Sequence, residues 1–460
     1  MKHFLILLKF EWLNFKANRS IKLLLALTFI LGLYSIYYGS AEIKKQQEVI
    51  EALDGITQHN INELSDRYPN GTDAGNIGYY HSTFARNLPD AWAALSLGQR
   101  DINPFYIKLR LLNLQSQLYD SEIVNPMKSL AGNFDLSFVL IYFFPLLIIG
   151  LSFNILSIEK EQGTLPLLLS QPIKTITIVS AKLFFRFILV VSLAYLLSII
   201  GFYYAEISLD SRILLWFLLI TFNCLFWFGV SFFIASLQKA SAFNAVSLLG
   251  IWLAFTFIIP AGLNVYVNLK QPVPEALALT IKQREEVHGG WDLPKDETMQ
   301  RFFSYYPEWK NTAKIEDHFG WRWYYAFQHL GDVAVENLRK EYFEGLKNRQ
   351  KLVNNLNFLS VPVNVQGALN AIAATDLNAH LRFMESAKKH HDALRNFYYP
   401  YLYNQVLFYP KDYKKEPRHS FKASPDYITA KNNIYKLIGS VCFIFILGIV
   451  IFYNKPLQVK

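Results

Sequence analysis

The sequence is poor in the residues and motifs that build metal-held or nucleotide-binding proteins. It has only two cysteines, Cys224 and Cys442, and both lie inside apolar runs, which excludes a disulfide framework and a cysteine-based zinc site. It also lacks the Gly-x-x-x-x-Gly-Lys-Ser/Thr loop that cradles nucleotide phosphates. We therefore expect no ATPase activity and no cofactor within this chain.

Enzyme signatures are also absent, since neither His-Glu-x-x-His nor Gly-x-Ser-x-Gly occurs. His390 and His391 are adjacent and point about 100° apart on a helix, so they cannot easily share a metal ion. Asp376 and His380 are four residues apart and could share one, but such pairs are common on solvated helices. An enzyme site in an aqueous domain, built on these histidines, stays open as the weakest hypothesis.

Apolar residues dominate the composition. Hydrophobic residues make up 52% and aromatic residues 16% of the chain, which is too apolar for an ordinary soluble protein. The net charge of +9 comes from lysines and arginines spread along the whole sequence, with no nucleic-acid-binding motif. The expected partner is therefore the lipid bilayer, and no nucleic acid is expected.

Six apolar runs are each long enough to cross a bilayer, which takes roughly 20 residues. We predict an all-α polytopic membrane protein with six transmembrane helices, an N-terminal interfacial helix and two mainly helical extracytoplasmic insertions. The predicted spans are 21–38, 136–156, 176–205, 213–237, 243–265 and 434–452. The other predicted segments are the interfacial helix 1–20, the insertions 41–133 and 267–432, the connection 157–173 and the tail 453–460.

Several local features qualify this layout. Small residues after the first span, Gly39-Ser40-Ala41, allow signal-peptide cleavage, but the long amphipathic stretch before the span favours an uncleaved anchor. Pro145 is expected to kink the second span or to expose a backbone carbonyl there. Lys182 and Arg186 either reach the membrane interface or face the bundle interior. The helical stretches expected in the insertions include 42–53, 106–119, 273–288, 332–357 and 375–397.

The distribution of basic residues predicts the orientation. Lysines and arginines of the N-terminal helix, the connection 157–173, the turn at Lys239 and the tail all fall on one side when six spans are counted. That side is expected to be the cytoplasm. We therefore predict a multi-pass protein of a bacterial inner membrane with both termini in the cytoplasm and both insertions outside it.

The connection 157–173 reads S-I-E-K-E-Q-G-T-L-P-L-L-L-S-Q-P-I. Gly163 can end one helix, Thr164 can cap the next, and Pro172 can stop it after about two turns. This predicts a short amphipathic helix on the cytoplasmic surface; the alternative is an ordinary interfacial loop. The side chains expected on its display face are Leu165, Leu167, Leu168 and Leu169. Because lipid contact is costly for carboxylates, Glu159 and Glu161 must meet water or a basic partner.

This segment resembles the E-x-E-x-G-T-L-x-x-L-L-(S/T)-x-P stretch of ABC-2-like (type V) ABC exporter permeases. Residues 93–105 and 132–147 add to this resemblance. Residues 359–380 are similar to a branch with a large helical domain before its last span, akin to permeases of multicopper-enzyme maturation systems. In that family the segment is a coupling helix that docks on a separate ATPase subunit. The resemblance assigns the coupling role to Glu159, Glu161, Gly163, Thr164, Leu165 and Pro172.

The resemblance implies a permease subunit without enzymatic activity of its own. ATP and Mg²⁺ would be bound by partner ABC ATPase subunits, and a second permease copy or a paralogous permease would complete the transporter. The family usually has only a small re-entrant hairpin where this chain has residues 267–432. The stretch Leu95–Arg100 also resembles the signature loop of ABC ATPases, but no P-loop accompanies it and no nucleotide contact is expected.

Two functions follow from these expectations. The first is ATP-driven export or extraction of a substrate by a permease. The alternative is a mechanotransmitter or scaffold, in which the same coupling delivers force to the external insertions and these act on an envelope protein without passing cargo.

Overall fold

In a computed structural model, the protein is 79% helical, and the structure describes residues 2–118, 134–171, 173–273, 276–312 and 318–454. Six helices are long and apolar enough to cross a membrane, as predicted, and the chain is a multi-pass membrane protein. The helical runs that contain the spans are Arg19–Arg67, Leu136–Glu161, Thr175–Tyr204, Arg212–Ser236, Ser241–Lys270 and Tyr427–Asn454.

The elements are labelled here in chain order. The first half contains α1 (Lys2–Ala17), α2 (Arg19–Arg67), α3 (Ala74–Tyr80), β1 (Thr83–Arg86), β2 (Tyr106–Leu109), α4 (Leu114–Leu118), α5 (Leu136–Phe138), α6 (Phe144–Ser152), α7 (Ser157–Glu161), α8 (Leu165–Leu169), α9 (Thr175–Tyr204) and α10 (Arg212–Ser236). The second half contains α11 (Ser241–Leu253), α12 (Ile259–Lys270), α13 (Ala276–Asp292), α14 (Lys295–Phe303), α15 (Trp321–Leu356), α16 (Val361–Ala373), α17 (Leu377–Tyr403) and α18 (Tyr427–Asn454). Short 3₁₀ turns lie at Ala91–Ala94, Gly98–Asp101, Pro307–Trp309, Asn357–Leu359 and Pro410–Lys415, and π-helical segments at Val139–Phe143 and Ala254–Ile258.

The first span belongs to a helix much longer than a membrane crossing. Asn18 separates it from α1 and caps it, because Oδ1 of Asn18 accepts the backbone N–H of Ile21 at 3.1 Å. Helix α2 then continues for 49 residues, through the stretch that was expected as a separate helix. At Gly39 it passes the backbone of Ala94 so closely that a Cβ would lie 2.0 Å from the carbonyl oxygen. Only glycine fits at this crossing.

Prolines distort the second and fifth spans. Pro145 directly follows the π-helical segment of the second span, and a proline has the same position in the fifth. Because proline has no N–H to donate to the preceding turn, carbonyl groups there need other donors. Asn223 Nδ2 donates to the carbonyl of Leu140 at 3.1 Å, and Ser360 Oγ donates to that of Phe255 at 2.8 Å. The expected kink at Pro145 thus takes the form of a π-helical segment bonded from another helix.

The spans place the connection 157–173 and the N-terminal helix at one end of the bundle. There the ring of Phe4 in α1 lies 5.8 Å from that of Phe184, near the start of α9. At the opposite end, Arg212 at the start of α10 pairs with Asp90 of the first insertion at 3.0 Å. The two insertions therefore share the end that the connection does not occupy, which agrees with the predicted alternation of six spans.

The two insertions fold together into one aqueous domain. Leu64, Ile77 and Leu111 from the first insertion share a hydrophobic core with Phe302 and Tyr403 from the second. A polar contact adds to this core. Both carboxylate oxygens of Asp332, in α15 of the second insertion, accept the backbone N–H of Leu114, at the start of α4 in the first, at 2.9 Å. The aqueous domain is thus assembled from two parts of the chain that four candidate membrane spans separate.

The expectation of a helix over residues 106–119 is wrong. Residues Tyr106–Leu109 form β2, which pairs antiparallel with β1 so that Lys108 lies opposite Phe84, and α4 follows as a short helix. Burial along β2 alternates between exposed and buried, which is the period of a strand and not of a helix. The all-α description is corrected accordingly: within the described residues the protein is mainly helical with one two-stranded sheet.

Helix α16 differs from its predicted environment. It belongs to the second insertion, yet its apolar face, including Leu369, joins the core formed by the fourth and sixth spans. Three asparagines fasten its start to α18: Asn357 Nδ2 donates to Asn433 Oδ1 at 3.0 Å, and Asn433 Nδ2 donates to the carbonyl of Asn364 at 3.2 Å. The aqueous domain is therefore joined to the last span by packing and by a polar cluster.

Candidate functional site

The connection between the second and third spans consists of two short helices and a glycine turn. Helix α7 ends at Glu161, and Gly163 follows with a φ of +71°, in the left-handed region that favours glycine. Helix α8 then covers Leu165–Leu169. The connection therefore has the predicted helix, glycine and helix order.

Two details of the predicted connection are wrong. Thr164 does not cap α8, because its backbone is helical and its hydroxyl instead donates to Oε2 of Glu159 at 2.9 Å. Leu165, expected on the display face, is only 4% exposed, whereas Leu167 is 69% exposed. Pro172, expected to stop the second helix, lies outside the described residues.

Glu159 is bonded to the third span. Its carboxylate forms an ion pair with Lys182, and both side chains are mostly buried, with 18% and 11% of their surface exposed. Lys182 Nζ also donates to the backbone carbonyl of Ile155 at 3.3 Å. Of the two positions that the sequence left open for Lys182, the structure shows the bundle interior. The basic group that Glu159 requires is therefore in its own chain.

Glu161 is bonded to the fifth span. Its Oε1 accepts the backbone N–H of Ser241 at 2.7 Å, and its Oε2 accepts the Ser241 hydroxyl at 2.8 Å. Since Ser241 is the first residue of α11, the carboxylate lies at a helix N-terminus, where free N–H groups and the helix dipole favour negative charge. Ser157 reinforces the contact through its own hydroxyl, 2.7 Å from that of Ser241.

Side chains of the same two spans also hold the turn that precedes α7. The helix of the second span is interrupted at residues 153–156, so nearby carbonyl groups are free to accept other donors. Arg186 of the third span donates to the carbonyl of Leu151, and Asn244 Nδ2 of the fifth span donates to that of Phe153 at 3.1 Å. The connection is therefore fastened to three spans at once.

The opposite face of the connection is basic and apolar. Lys160 and Leu167 are exposed there, and a hollow of about 320 Å³ lies between the connection and the turn at Lys239. The residues that line this hollow are Leu156, Ser157, Lys160, Leu165, Ala235, Gln238, Lys239 and Asn244. Both glutamates are bonded within the chain, and the Lys160 and Leu167 side chains remain exposed.

The histidines that sequence reasoning offered for an enzyme site have structural contacts. His391 Nε2 donates to the carbonyl of Leu112 at 2.8 Å, and His390 Nε2 lies 3.4 Å from the Thr83 hydroxyl. Burial lowers the pKa of His390 to about 4, so this ring is neutral at physiological pH. Asp376 caps α17 and makes no metal site with His380: within the described residues, no group of three His, Cys, Asp or Glu side chains could hold a metal ion.

A serine and histidine contact that the sequence gave no reason to expect is also structural. Ser386 Oγ lies 3.0 Å from Nε2 of His419, and Nδ1 of the same ring accepts the backbone N–H of Arg86 at 3.0 Å. A neutral imidazole has a single N–H, so Nε2 carries it and donates to the serine. The ring therefore cannot remove the proton of Ser386, as a general base must.

The loop that resembles an ATPase signature, Leu95–Arg100, is buried at the junction of both insertions and the second span. Leu97 N–H donates to Oδ2 of Asp135 at 2.8 Å, and the Thr375 hydroxyl donates to the carbonyl of Ser96 at 2.9 Å. With Ser96 and Leu97 fully buried, the loop joins elements of the fold and is not open to a nucleotide.

Residues 277–422 match the family described as a domain of unknown function, DUF3526. The second insertion is similar to this family. The match covers less than half of the chain and lies within the aqueous domain and α16, so it does not include the connection 157–173. No curated protein and no solved structure matches the chain.

Proposed function

We propose that the chain is the permease subunit of an ABC exporter, in which a separate ATPase subunit drives export or extraction of a substrate. The observation that carries this proposal is the double attachment of the connection, through Glu159 to Lys182 and through Glu161 to Ser241. A force applied to the connection reaches the second, third and fifth spans together. ATP and Mg²⁺ are bound by the partner, because the sequence has no P-loop.

The proposal includes a second permease subunit, either a copy of this chain or a paralogue. The fifth span supports this, since only 6% of its most apolar stretch is buried within the chain. A face of this size suits lipid or another subunit. The connection and both termini lie in the cytoplasm of a bacterial inner membrane in this proposal, which leaves the aqueous domain outside.

Cysteine cross-linking tests the site of ATPase contact. Leu167→Cys and Lys160→Cys are introduced after the exposed Cys442 has been replaced by serine. The protein is then reconstituted with a candidate ABC ATPase subunit from the same genome and treated with a bifunctional thiol reagent. We expect both variants to cross-link to the ATPase, and the matched variant Lys108→Cys in the aqueous domain to give no product. Cross-linking only at Lys108 would overturn the assignment.

A mechanotransmitter is the second candidate, and one observation favours it. The asparagine cluster of Asn357, Asn364 and Asn433 fastens the aqueous domain to the sixth span, so spans and domain move together. Proteoliposomes separate the two functions. Export predicts ATP-dependent accumulation of a compound in the lumen of inverted vesicles, whereas a mechanotransmitter predicts ATP hydrolysis stimulated by an envelope protein without accumulation of any cargo.

A further inference from the structure

Two of the sequence stretches that resemble ABC-2-like permeases, 93–105 and 359–380, meet in a cleft of the aqueous domain. The backbone N–H of Gln99 donates to the carbonyl of Thr375 at 2.8 Å and closes one side of the cleft. The cleft opens to solvent, and its empty volume is about 250 Å³ when the solvent space at its mouth is included. The cleft lies beside the outer end of the second span, because the N–H of Leu97 donates to the carboxylate of Asp135, the residue directly before α5.

Arg100 lines this cleft as a cation without a counter-charge. It is 7% exposed, its Nε donates to Oε1 of Gln46 at 3.1 Å, and its Nη2 donates to the carbonyl of Asn87 at 2.8 Å. Both acceptors are neutral, and within the described residues no carboxylate forms an ion pair with this guanidinium. Burial lowers the pKa of Arg100 to about 10, which still leaves it charged at neutral pH. A buried charge is costly unless an opposite charge compensates it.

A second polar group in the cleft also lacks a partner. Oδ1 of Asn87, a residue that is 5% exposed, is buried without a hydrogen bond. An acceptor in this position requires a donor from outside the chain, since such groups are rarely left unpaired. The amides of Gln99 and Asn103 and the ring of His380 complete the polar lining. Burial and the nearby Arg100 lower the pKa of His380 to about 4, so it adds no second charge.

Asp376 is the only carboxylate among the described residues of the lining. Its Oδ1 accepts the backbone N–H of Ala379 at 3.1 Å, which commits it to the N-terminus of α17. Burial raises its pKa, and it forms no ion pair with Arg100. The carboxylate therefore stabilises the helix at the cleft wall and leaves the guanidinium to a ligand.

We propose that this cleft binds an oxyanion, with the Arg100 guanidinium as its anchor. The ligand group is a phosphate or a carboxylate, whose oxygens accept from Arg100 and from the second N–H of the Asn103 amide; the first N–H donates to Gln99 Oε1 at 3.1 Å. A hydroxyl on the same ligand donates to Oδ1 of Asn87. Hydrogen phosphate carries both kinds of group and is the simplest probe. Free phosphate and the headgroup of a phospholipid in the outer leaflet share this chemistry.

The test uses the full-length protein in nanodiscs of neutral lipid. Thermal unfolding and calorimetric binding are followed while sodium phosphate, or in a second series sodium acetate, replaces sodium gluconate at constant ionic strength. We expect a saturable rise in Tm with at least one of the two oxyanions. We expect Arg100→Gln to weaken binding about tenfold or more, because it removes a hydrogen-bonded charge. The matched control Arg301→Gln, at an exposed arginine on α14, leaves binding unchanged.

Two further arms keep the test decisive. We expect Asn103→Ala to weaken oxyanion binding while the buried arginine stays in place. This variant therefore tests the proposal even if Arg100→Gln does not fold. Nanodiscs that contain phosphatidic acid identify a lipid source: an Arg100-dependent rise in Tm that appears only with this lipid supports the proposal with the headgroup as ligand. The proposal is overturned if no oxyanion or anionic lipid gives a saturable rise, or if the rise is the same in Arg100→Gln and in Asn103→Ala as in the unaltered protein.

Discussion

Glu161 and Ser241 are joined by two hydrogen bonds, one to the backbone N–H at 2.7 Å and one to the hydroxyl at 2.8 Å. Glu161 thus caps the first turn of the fifth span, although it belongs to another helix, α7. The same residue therefore both caps α11 and attaches the connection 157–173 to it. Any displacement of α7 changes the hydrogen bonding at the start of α11.

This contact predicts a local change in hydrogen exchange. Glu161→Ala removes the acceptor of the Ser241 N–H, so we expect faster amide exchange in the first turn of α11, whereas Glu161→Gln keeps an acceptor oxygen and changes exchange less. The measurement is exchange mass spectrometry on the protein in nanodiscs. Lys160→Ala, at the exposed neighbour, is the control. Unchanged exchange in Glu161→Ala would show that the cap does not hold the span.

The pair of Glu159 and Lys182 predicts rescue by charge exchange. Glu159→Lys places two cations together beside Arg186 and should destabilise the protein by about 3 kcal/mol, the cost of breaking a mostly buried ion pair. The double variant Glu159→Lys, Lys182→Glu should recover most of the Tm and of the ATPase coupling. If Tm recovers but coupling does not, Glu159 contacts the ATPase directly.

Leu167 predicts loss of docking without loss of stability. Its side chain is 69% exposed, so Leu167→Glu should leave the Tm unchanged while it places a charge in the proposed apolar contact with an ATPase subunit. Copurification of the two subunits and their ATPase rate are the measurements. The matched variant Leu209→Glu, at a leucine that is 90% exposed beyond the other end of the third span, should copurify normally. Equal copurification of both variants would contradict docking at α8.

Asp332 predicts the largest stability effect in the aqueous domain. Its carboxylate pairs with the buried Arg395 and accepts the Gln283 amide at 2.6 Å as well as the N–H of Leu114 at 2.9 Å. Asp332→Ala leaves the arginine buried and unpaired, which should cost about 3–5 kcal/mol. Asp392→Ala removes a partly buried i, i+4 ion pair with Lys388 and should cost about 1 kcal/mol or less. Chemical unfolding of both variants compares these costs.

Buried histidines predict that acid weakens the aqueous domain. Burial lowers the pKa of His329 to about 3 and that of His390 to about 4, so each must stay neutral in the folded state. A base with a lowered folded-state pKa contributes its full stability above its ordinary pKa of about 6.5, and loses it as the pH falls toward the folded-state value. At pH 5 each should cost about 2 kcal/mol relative to pH 8.

Tm measured between pH 8 and pH 5 checks this expectation. His390→Gln should flatten the pH dependence, whereas His59→Gln should not, because the His59 side chain is 76% exposed. A Tm that is constant over this range, or an identical slope in both variants, would show that these rings are solvated in solution.

The sequence was informative wherever one physical requirement dominates. Membrane spans need long apolar runs, so the six helices that are long and apolar enough to cross a membrane could be predicted, although the helices of the first and last spans extend well beyond the predicted bounds. Gly163 could be placed in a turn because a left-handed φ favours glycine. Polar and apolar residues alternate with a period of two at Tyr106–Leu109, which is the pattern of a strand. The prediction overlooked this alternation because the surrounding residues favour a helix. That error came from the choice of period and not from missing information.

The contacts of the candidate site were not predictable in the same way. Glu159 and Glu161 differ by two residues, yet they bond to spans that begin far apart in the sequence, at Thr175 and Ser241. Nothing local to Ser241 marks it as the partner of a glutamate. The oxyanion cleft depends likewise on Gln99 and Thr375 meeting through the tertiary fold. Such pairings depend on how the bundle packs, which a single sequence does not encode locally.

Helix α2 is unbroken over 49 residues, so its membrane-spanning part and its part in the aqueous domain belong to one continuous helix. At a rise of 1.5 Å per residue its length is roughly 73 Å, more than twice the thickness of the hydrocarbon core. Tilting it by about 5° within the membrane shifts its outer end by about 6 Å. A displacement too small to open a path between the spans is thus amplified, at Arg67, to the width of a side chain.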